Sequence, residues 1–290
     1  MDSGDNDPVR FWRYVLTASQ SFQTDLGKSA LALLLAERAA WPPAFGRPDL
    51  EAILTVFLNE ISQAPGGILV LEDYHLITSP QIHETLSYLI EHLPAAFHIV
   101  IITRSDPPLP LARLRAHDDL VELHSADLLF SLDETRAFFQ QITQISLAEE
   151  NLKRLQARTE GWVTGLRLLA LQGRAIEQET GAFLTFAGSH RHLLEFFITE
   201  VLGTQLETVQ LFLLQTSILD RLTGSLCDAI TGRNDSELLL EALERANLFL
   251  QTLDGSGQWY RYHTLFAEAM QHEARRRLGE DALCSCYSKA

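Results

Sequence analysis

The sequence predicts an α/β region followed by an all-α region that closes in a winged helix, and three observations carry that prediction. First, two four-residue apolar runs, Ile68–Leu71 and Ile99–Ile102, flank a segment of helical character. That spacing fits one β-α-β unit of a parallel sheet, and short apolar runs bounded by turn residues suit strands buried on both faces. Second, Ser131-Leu-Asp-Glu134 is a capping-box pattern that opens a long series of helical periodicities. Third, three helical segments between residues 205 and 245 lead into Leu248–Leu253 and Gln258–Tyr262, two β-type runs around Asp254-Gly-Ser-Gly257. Helix, helix, helix, hairpin is the order of a winged helix.

The elements follow in order. Asp7 can cap a first helix that has Pro8 at its first position, with Phe11, Tyr14, Val15 and Ala18 on one face. A helical Leu/Ala-rich stretch covers residues 29–40, and Leu50, Ile53, Leu54, Phe57, Leu58 and Ile61 repeat at helical spacing. After the β-α-β unit, DPPLPLARLR is a proline-stiffened turn entering a short basic helix, and Leu120–Leu123 read as a third short strand. Helices are then expected at 131–142, 147–157, from Gly161 to about Gln172, 178–187, 190–202, 205–216, 223–230 and 235–245, with a last amphipathic helix at 263–278. Gly161 and Gly165 flank Trp162 and either admit a phosphate close to a helix start or permit tight packing. His190, Arg191 and His192 read as surface or helix-cap residues. Internal repeats and low-complexity segments are not found.

Composition narrows the function. The 290 residues are 46% hydrophobic and 21% charged, ordinary for a folded chain long enough for two or more domains. A formal charge of −15 disfavours unspecific attraction to nucleic acid or anionic membrane. Cys227, Cys284 and Cys286 give no disulfide framework, and the C-x-C pair lacks a second ligand pair for zinc. With no apolar stretch of membrane-spanning length and no signal-peptide pattern, a reducing cytoplasm is expected.

Chemistry concentrates where the two strands end. The first run ends in Glu72 and Asp73, the second in Thr103, Arg104, Ser105 and Asp106, and parallel sheets bind ligands at that edge. Two carboxylates on a strand tip can take Mg²⁺ through its water shell, and an arginine on the next strand can read phosphate charge. The other reading is a set of solvated strand-end charges, and the spacing alone leaves both open.

DSGDNDPVRFWRY, LVLEDYHLI, TRSDPPLPLARLRA, RTEGWVTGLRLLAL, SHRHLLEFFITEVL, FLLQTSILDRL, LERANLFLQTLD and WYRYHTLFAE occur in this order. Together they resemble the large ATP-binding LuxR-type transcriptional regulators, members of the signal-transduction ATPases with numerous domains. The resemblance implies an incomplete P-loop NTPase module at 1–127, a helical domain at 128–203, a winged-helix domain at 204–278 and the start of a further region at 279–290. It implies a bacterial, cytoplasmic regulator that is closed with ADP and self-associates with ATP and an inducer. By the same resemblance Glu72 and Asp73 are the Walker B acids that serve catalysis and Mg²⁺. Arg104 is the sensor arginine, and His263 is the winged-helix histidine that meets the phosphate of ADP bridging the two modules. Thr264 stands where a second histidine is often found.

The phosphate-cradling pattern G-x-x-x-x-G-K-S/T does not occur in the sequence. The chain is therefore expected to be an internal fragment, missing that loop, the sensor repeats that receive a small-molecule or protein inducer, and the helix-turn-helix that contacts DNA. Weak or no ATP hydrolysis is expected of it alone. The competing class is a nucleotide-free interaction module using its helices and an open sheet edge. Direct DNA binding through the winged helix fits poorly, because Arg261 is the hairpin's one basic residue and Arg275–Arg277 suit a solvated helix end.

Overall fold

A computed structural model describes residues 1–39, 49–143, 147–180, 191–254, 257–280 and 283. The chain divides into two compact units, Met1–Val121 and Glu122–Ala290.

The first unit begins with a 3-10 turn, Ser3–Asn6, and helix α1, Pro8–Ser19. The Asp7 carboxylate accepts from the Arg10 amide and Pro8 takes the first turn, so the capping signal in the sequence is realised. Helices α2 (Lys28–Ala39) and α3 (Leu50–Ile61) follow, and every apolar position expected on α3 is buried. Strand β1 (Gly67–Leu71), helix α4 (Pro80–Glu91) and strand β2 (Phe97–Ile101) form the expected parallel unit, in register from Gly67 opposite Phe97 to Leu71 opposite Ile101. Leu69, Leu71, Phe97, Ile99 and Ile101 pack into a core with Trp12, Leu54, Phe57, Ile82 and Leu86 from the helices.

Burial on both strand faces, expected from the unbroken apolar runs, is not found. Ile68 (66%), Val70 (54%), Val100 (43%) and Ile102 (49%) are exposed. The physical reason is that α1, α3 and α4 share one core with a single face of the sheet, so the strands alternate in burial despite their continuous apolar sequence. The third strand expected at Leu120–Leu123 is not formed either. After the short helix α5 (Leu111–Ala116) these residues run without a strand partner among the described residues, and Val121 and Leu123 are solvent-exposed. A strand needs a neighbouring edge for its amides and carbonyls, and local apolar sequence does not provide one.

In the second unit the capping box forms as read: Ser131 N and Oγ donate to Glu134 Oε2, and the Glu134 amide donates to Ser131 Oγ. It opens α6 (Leu132–Thr143), followed by α7 (Glu149–Thr159) and α8 (Val163–Thr180). Helix α8 runs on past Gln172; the remainder of the helix expected at 178–187 lies outside the described residues. The segment expected as one helix at 190–202 is α9 (Arg191–Phe196), a π turn (Phe197–Val201) and a 3-10 turn (Leu202–Thr204). The widened turn lets Phe197, Val201 and Leu202 all enter the core, which an uninterrupted 3.6 period would not.

Helices α10 (Glu207–Thr216), α11 (Gly224–Thr231) and α12 (Ser236–Arg245) precede the antiparallel pair β3 (Leu250–Thr252) and β4 (Tyr260–Tyr262). Leu222 bridges to Tyr260 on the other edge of β4, and α13 (Thr264–Leu278) completes the winged helix. Phe197, Phe212, Phe266, Leu240 and Met270 are fully buried in the core of this unit.

Candidate functional site

The parallel ladder continues past both strands and shapes their tips. Ile102 N donates to Leu71 O at 2.9 Å, and Tyr74 N donates back to Ile102 O at 3.1 Å. Between those bonds Glu72 and Asp73 make a turn, with Asp73 in the left-handed region at φ 56°, ψ 37°. Aspartate tolerates that conformation better than most side chains, which suits it to a sharp turn at a strand end. Its carboxylate is half exposed and lies 3.9 Å from His75 Nδ1.

Burial draws the pKa of His75 below the ordinary imidazole value, and the positive charge of Arg104 pushes it the same way while Asp73 opposes both. Glu72 and Asp73 are thus consecutive on one strand tip, and Arg104 lies near enough to act electrostatically on His75 beside them. Thr103 Oγ1 donates to Ser105 O at 2.8 Å and holds the turn that carries Arg104. His75 was missed by sequence reasoning; its place two residues after Asp73 was the available signal, and its partial burial was not readable.

The donor set fits a hard cation. Two carboxylates and solvent access suit Mg²⁺, which keeps much of its water shell and needs few protein ligands. Among the described residues, no group of three or more His, Cys, Asp or Glu could enclose a metal ion in a protein cage. The amide cradle and lysine that usually anchor β- and γ-phosphates have no counterpart motif in this sequence.

His263 lies in the second unit, at the start of α13. It is almost fully buried, with Nε2 2.9 Å from the carbonyl of Thr159 and Trp162 and Phe249 edge-on to its ring. A carbonyl only accepts, so Nε2 carries the proton, and burial lowers the pKa and keeps the ring neutral. Nδ1 is buried without a hydrogen-bond partner and bears a lone pair in that tautomer. In this arrangement the ring would have to gain a proton before Nδ1 could donate to a phosphate.

The neighbouring network was also invisible in the sequence. Glu160 ends α7 in the left-handed region and accepts two bonds from Arg261, at 2.9 and 2.8 Å. It also accepts from the amide and hydroxyl of Thr264, at 3.0 and 2.7 Å. Burial works against ionisation of Glu160, but the bonds from Arg261 and Thr264 outweigh it and hold the carboxyl below the usual range. Thr264 therefore joins α13 to the end of α7. Nothing in the spacing of a glutamate before Gly161 announces such a junction.

The glycines beside Trp162 resolve toward packing. A Cβ at Gly161 would lie 2.4 Å from Phe130 O, and one at Gly165 would meet the Trp162 ring at 2.5 Å. His190 lies outside the described residues, and the His192 side chain is exposed beside Glu195. Arg261 is occupied by Glu160 and Gln251, while Arg276 and Arg277 both pair with the buried Glu273. Arg261 of the wing and Arg276 and Arg277 of the last helix are thus joined to acidic or amide side chains of their own unit.

The chain thus carries an α/β unit with an acidic strand tip and, after it in sequence, a helical unit closed by a winged helix. Residues 198–282 match the family model of the MalT winged helix domain. Over 283 residues, 96% of this chain, the sequence is 32% identical to the HTH-type transcriptional regulator MalT of Vibrio cholerae. It is 32% identical over 287 residues to MalT of Cronobacter sakazakii and over 283 residues to MalT of Vibrio campbellii. The chain is MalT-like along nearly its whole length, and it spans 30–31% of the length of these curated relatives.

Proposed function

We propose that this chain is the regulatory core of a MalT-type, LuxR-family transcriptional activator, a cytoplasmic signalling switch of the signal-transduction ATPase class that responds to nucleotide. The observation that carries the reading is the strand-tip cluster: Glu72 and Asp73 in the turn directly after β1, with Arg104 beyond β2 close enough to influence His75. In this reading the two carboxylates hold Mg²⁺ through water, and Arg104 senses the phosphate charge of ADP or ATP. Bound Mg²⁺-nucleotide supplies the charge whose change on hydrolysis or exchange distinguishes two states, so differential affinity sets the population of each. Self-association, an inducer and promoter DNA belong to the longer regulator.

The test is calorimetric titration with Mg-ADP and Mg-ATP, with Asp73→Asn as the control. Binding that disappears in Asp73→Asn supports the switch. A folded chain that binds neither nucleotide supports the second reading, an interaction module without nucleotide. One observation favours that alternative: the exposed apolar row of Ile68, Val70, Val100 and Ile102.

A further inference from the structure

The polar opening of the chain docks on the turn that follows the acidic pair. Asn6 Oδ1 accepts from the Thr78 amide at 2.6 Å, the Ser79 amide at 3.0 Å and the Thr78 hydroxyl at 3.2 Å. Asn6 Nδ2 donates to Leu76 O at 2.8 Å. Ser79 is the N-cap of α4 but makes no capping bond with its own side chain. Asn6 therefore satisfies backbone groups at the start of a helix more than 70 residues away in sequence.

The base from which Asn6 reaches is itself braced. Before it, Asp2 and Asp5 form a reciprocal capping box, and Arg10 Nε donates to the buried Asp5 carboxylate at 3.0 Å. After it, Asp7 caps α1. On the other side, the segment between Asp73 and Ser79 is pinned by the Tyr74 amide on Ile102 O and by the buried Tyr74 hydroxyl, 2.8 Å from His83 Nδ1 on α4. The Met1 ammonium donates to Glu72 O at 3.0 Å, and Asn6 adds its bonds at Leu76, Thr78 and Ser79.

We propose that Asn6 is the positioning residue of the acidic turn, fixing the backbone of residues 72–79 so that the Glu72 and Asp73 carboxylates are presented together to a metal-bound phosphate. The ligand in this proposal rests on the nucleotide reading; the positioning does not. Partners that orient metal-ligating groups from outside the ligand set change metal affinity by about 10–100-fold when removed. An amide suits the task because it accepts and donates at once. Aspartate retains only the accepting half, and alanine neither.

The experiment uses the 290-residue chain with Asn6→Ala and Asn6→Asp. Amide exchange and backbone chemical shifts are read by NMR, and Mn²⁺-ADP affinity by electron paramagnetic resonance. In Asn6→Ala, exchange at Thr78 and Ser79 is expected to rise about tenfold, as for loss of one net hydrogen bond. The change should propagate to the Tyr74 amide and the Asp73 shifts while β1 and α3 amides stay unaltered. Mn²⁺-ADP should bind about tenfold more weakly. Asn6→Asp should keep protection at Thr78 and Ser79 but lose the bond to Leu76 O, so the Tyr74 amide and Asp73 shifts should still move, and those signals carry the test if the alanine variant fails to fold.

A change confined to Thr78 and Ser79 would make Asn6 a helix cap and nothing more, overturning the proposal, as would no change at all. A wild-type chain that ignores Mn²⁺-ADP removes the nucleotide reading, and the Tyr74 and Asp73 signals then decide the positioning role by themselves.

Discussion

Two sets of acidic side chains, one from each unit, are treated in opposite ways. In the second unit, Glu160 and Glu273 are withdrawn from water and tied to cations, Glu160 to Arg261 and Glu273 to Arg276 and Arg277. In the first, the acids at the tip of β1 stand at the surface, with Asp73 half exposed and in a conformation that costs the backbone free energy. The hydrophobic side chains differ likewise. The winged-helix core encloses Phe197, Phe212 and Phe266 completely, whereas the sheet of the first unit leaves Ile68 and Val100 in water. The lesson is that charge by itself does not mark function. A carboxylate that satisfies a cation inside its own unit is explained by stability; one kept exposed at a strand tip is not, and since Glu160 shares the left-handed backbone of Asp73, it is exposure that separates them.

The contrast can be broken by substitution, and the largest effect should come from the closed core. Phe197 is fully buried among Trp162, Phe249 and Phe266, so Phe197→Ala should destabilise the second unit by about 4 kcal/mol in urea denaturation. A loss below 1 kcal/mol would mean that the aromatic cluster is not packed as described. Next comes Glu160→Ala, which leaves Arg261 with Gln251 alone, removes the acceptor of the Thr264 amide and should cost about 3 kcal/mol. Should Glu160→Ala unfold at the wild-type urea midpoint, the junction of α7 with α13 is not held by that carboxylate.

Acid should weaken both units. His83 and His263 are held below the ordinary value of 6.5 by burial. A depressed histidine favours the folded state at pH above its unfolded pKa, and that contribution is lost as pH falls through and below about 6.5. Glu160 and Glu273, held below 4.5, extend the loss further toward acid. Urea midpoints should therefore drop between pH 7.5 and 5.5, and His83→Gln should remove its share of the first unit's drop, leaving the share of His75. A midpoint unchanged over that interval would contradict the neutral state of both rings.

The smallest effect is expected on the open sheet face. Ile68→Thr and Val100→Thr should change stability by no more than about 0.5 kcal/mol, since neither side chain is enclosed. A loss of 2 kcal/mol or more would show that a cover encloses this face in solution and would erase the contrast between the units.

Much of this was legible in the chain because it depends on neighbours in sequence. Asp7 with Pro8, Ser131 with Glu134, and the 3.6 period of Leu50 to Ile61 are local signals, and each became the cap or helix it foretold. The β-α-β unit and the hairpin were readable for the same reason. What failed was non-local. The Leu120–Leu123 run has strand-like composition but pairs with no strand edge among the described residues, and the runs at β1 and β2 could not reveal how many faces would be covered.

The acidic pair and Arg104 could be named from the sequence because strand ends in a parallel unit gather at one edge. The sequence alone determined the order of elements, the class of fold and the resemblance to LuxR-type regulators, all of which rest on short-range pattern and residue order. Only the tertiary structure decided that Asn6 grips the start of α4, that Glu160 holds Arg261 and Thr264, and that His263 stands neutral against Thr159. Those pairs are separated by 72, 101, 104 and 104 residues. Hydrogen bonds across such distances exist only after the apolar faces have packed and brought the backbones together.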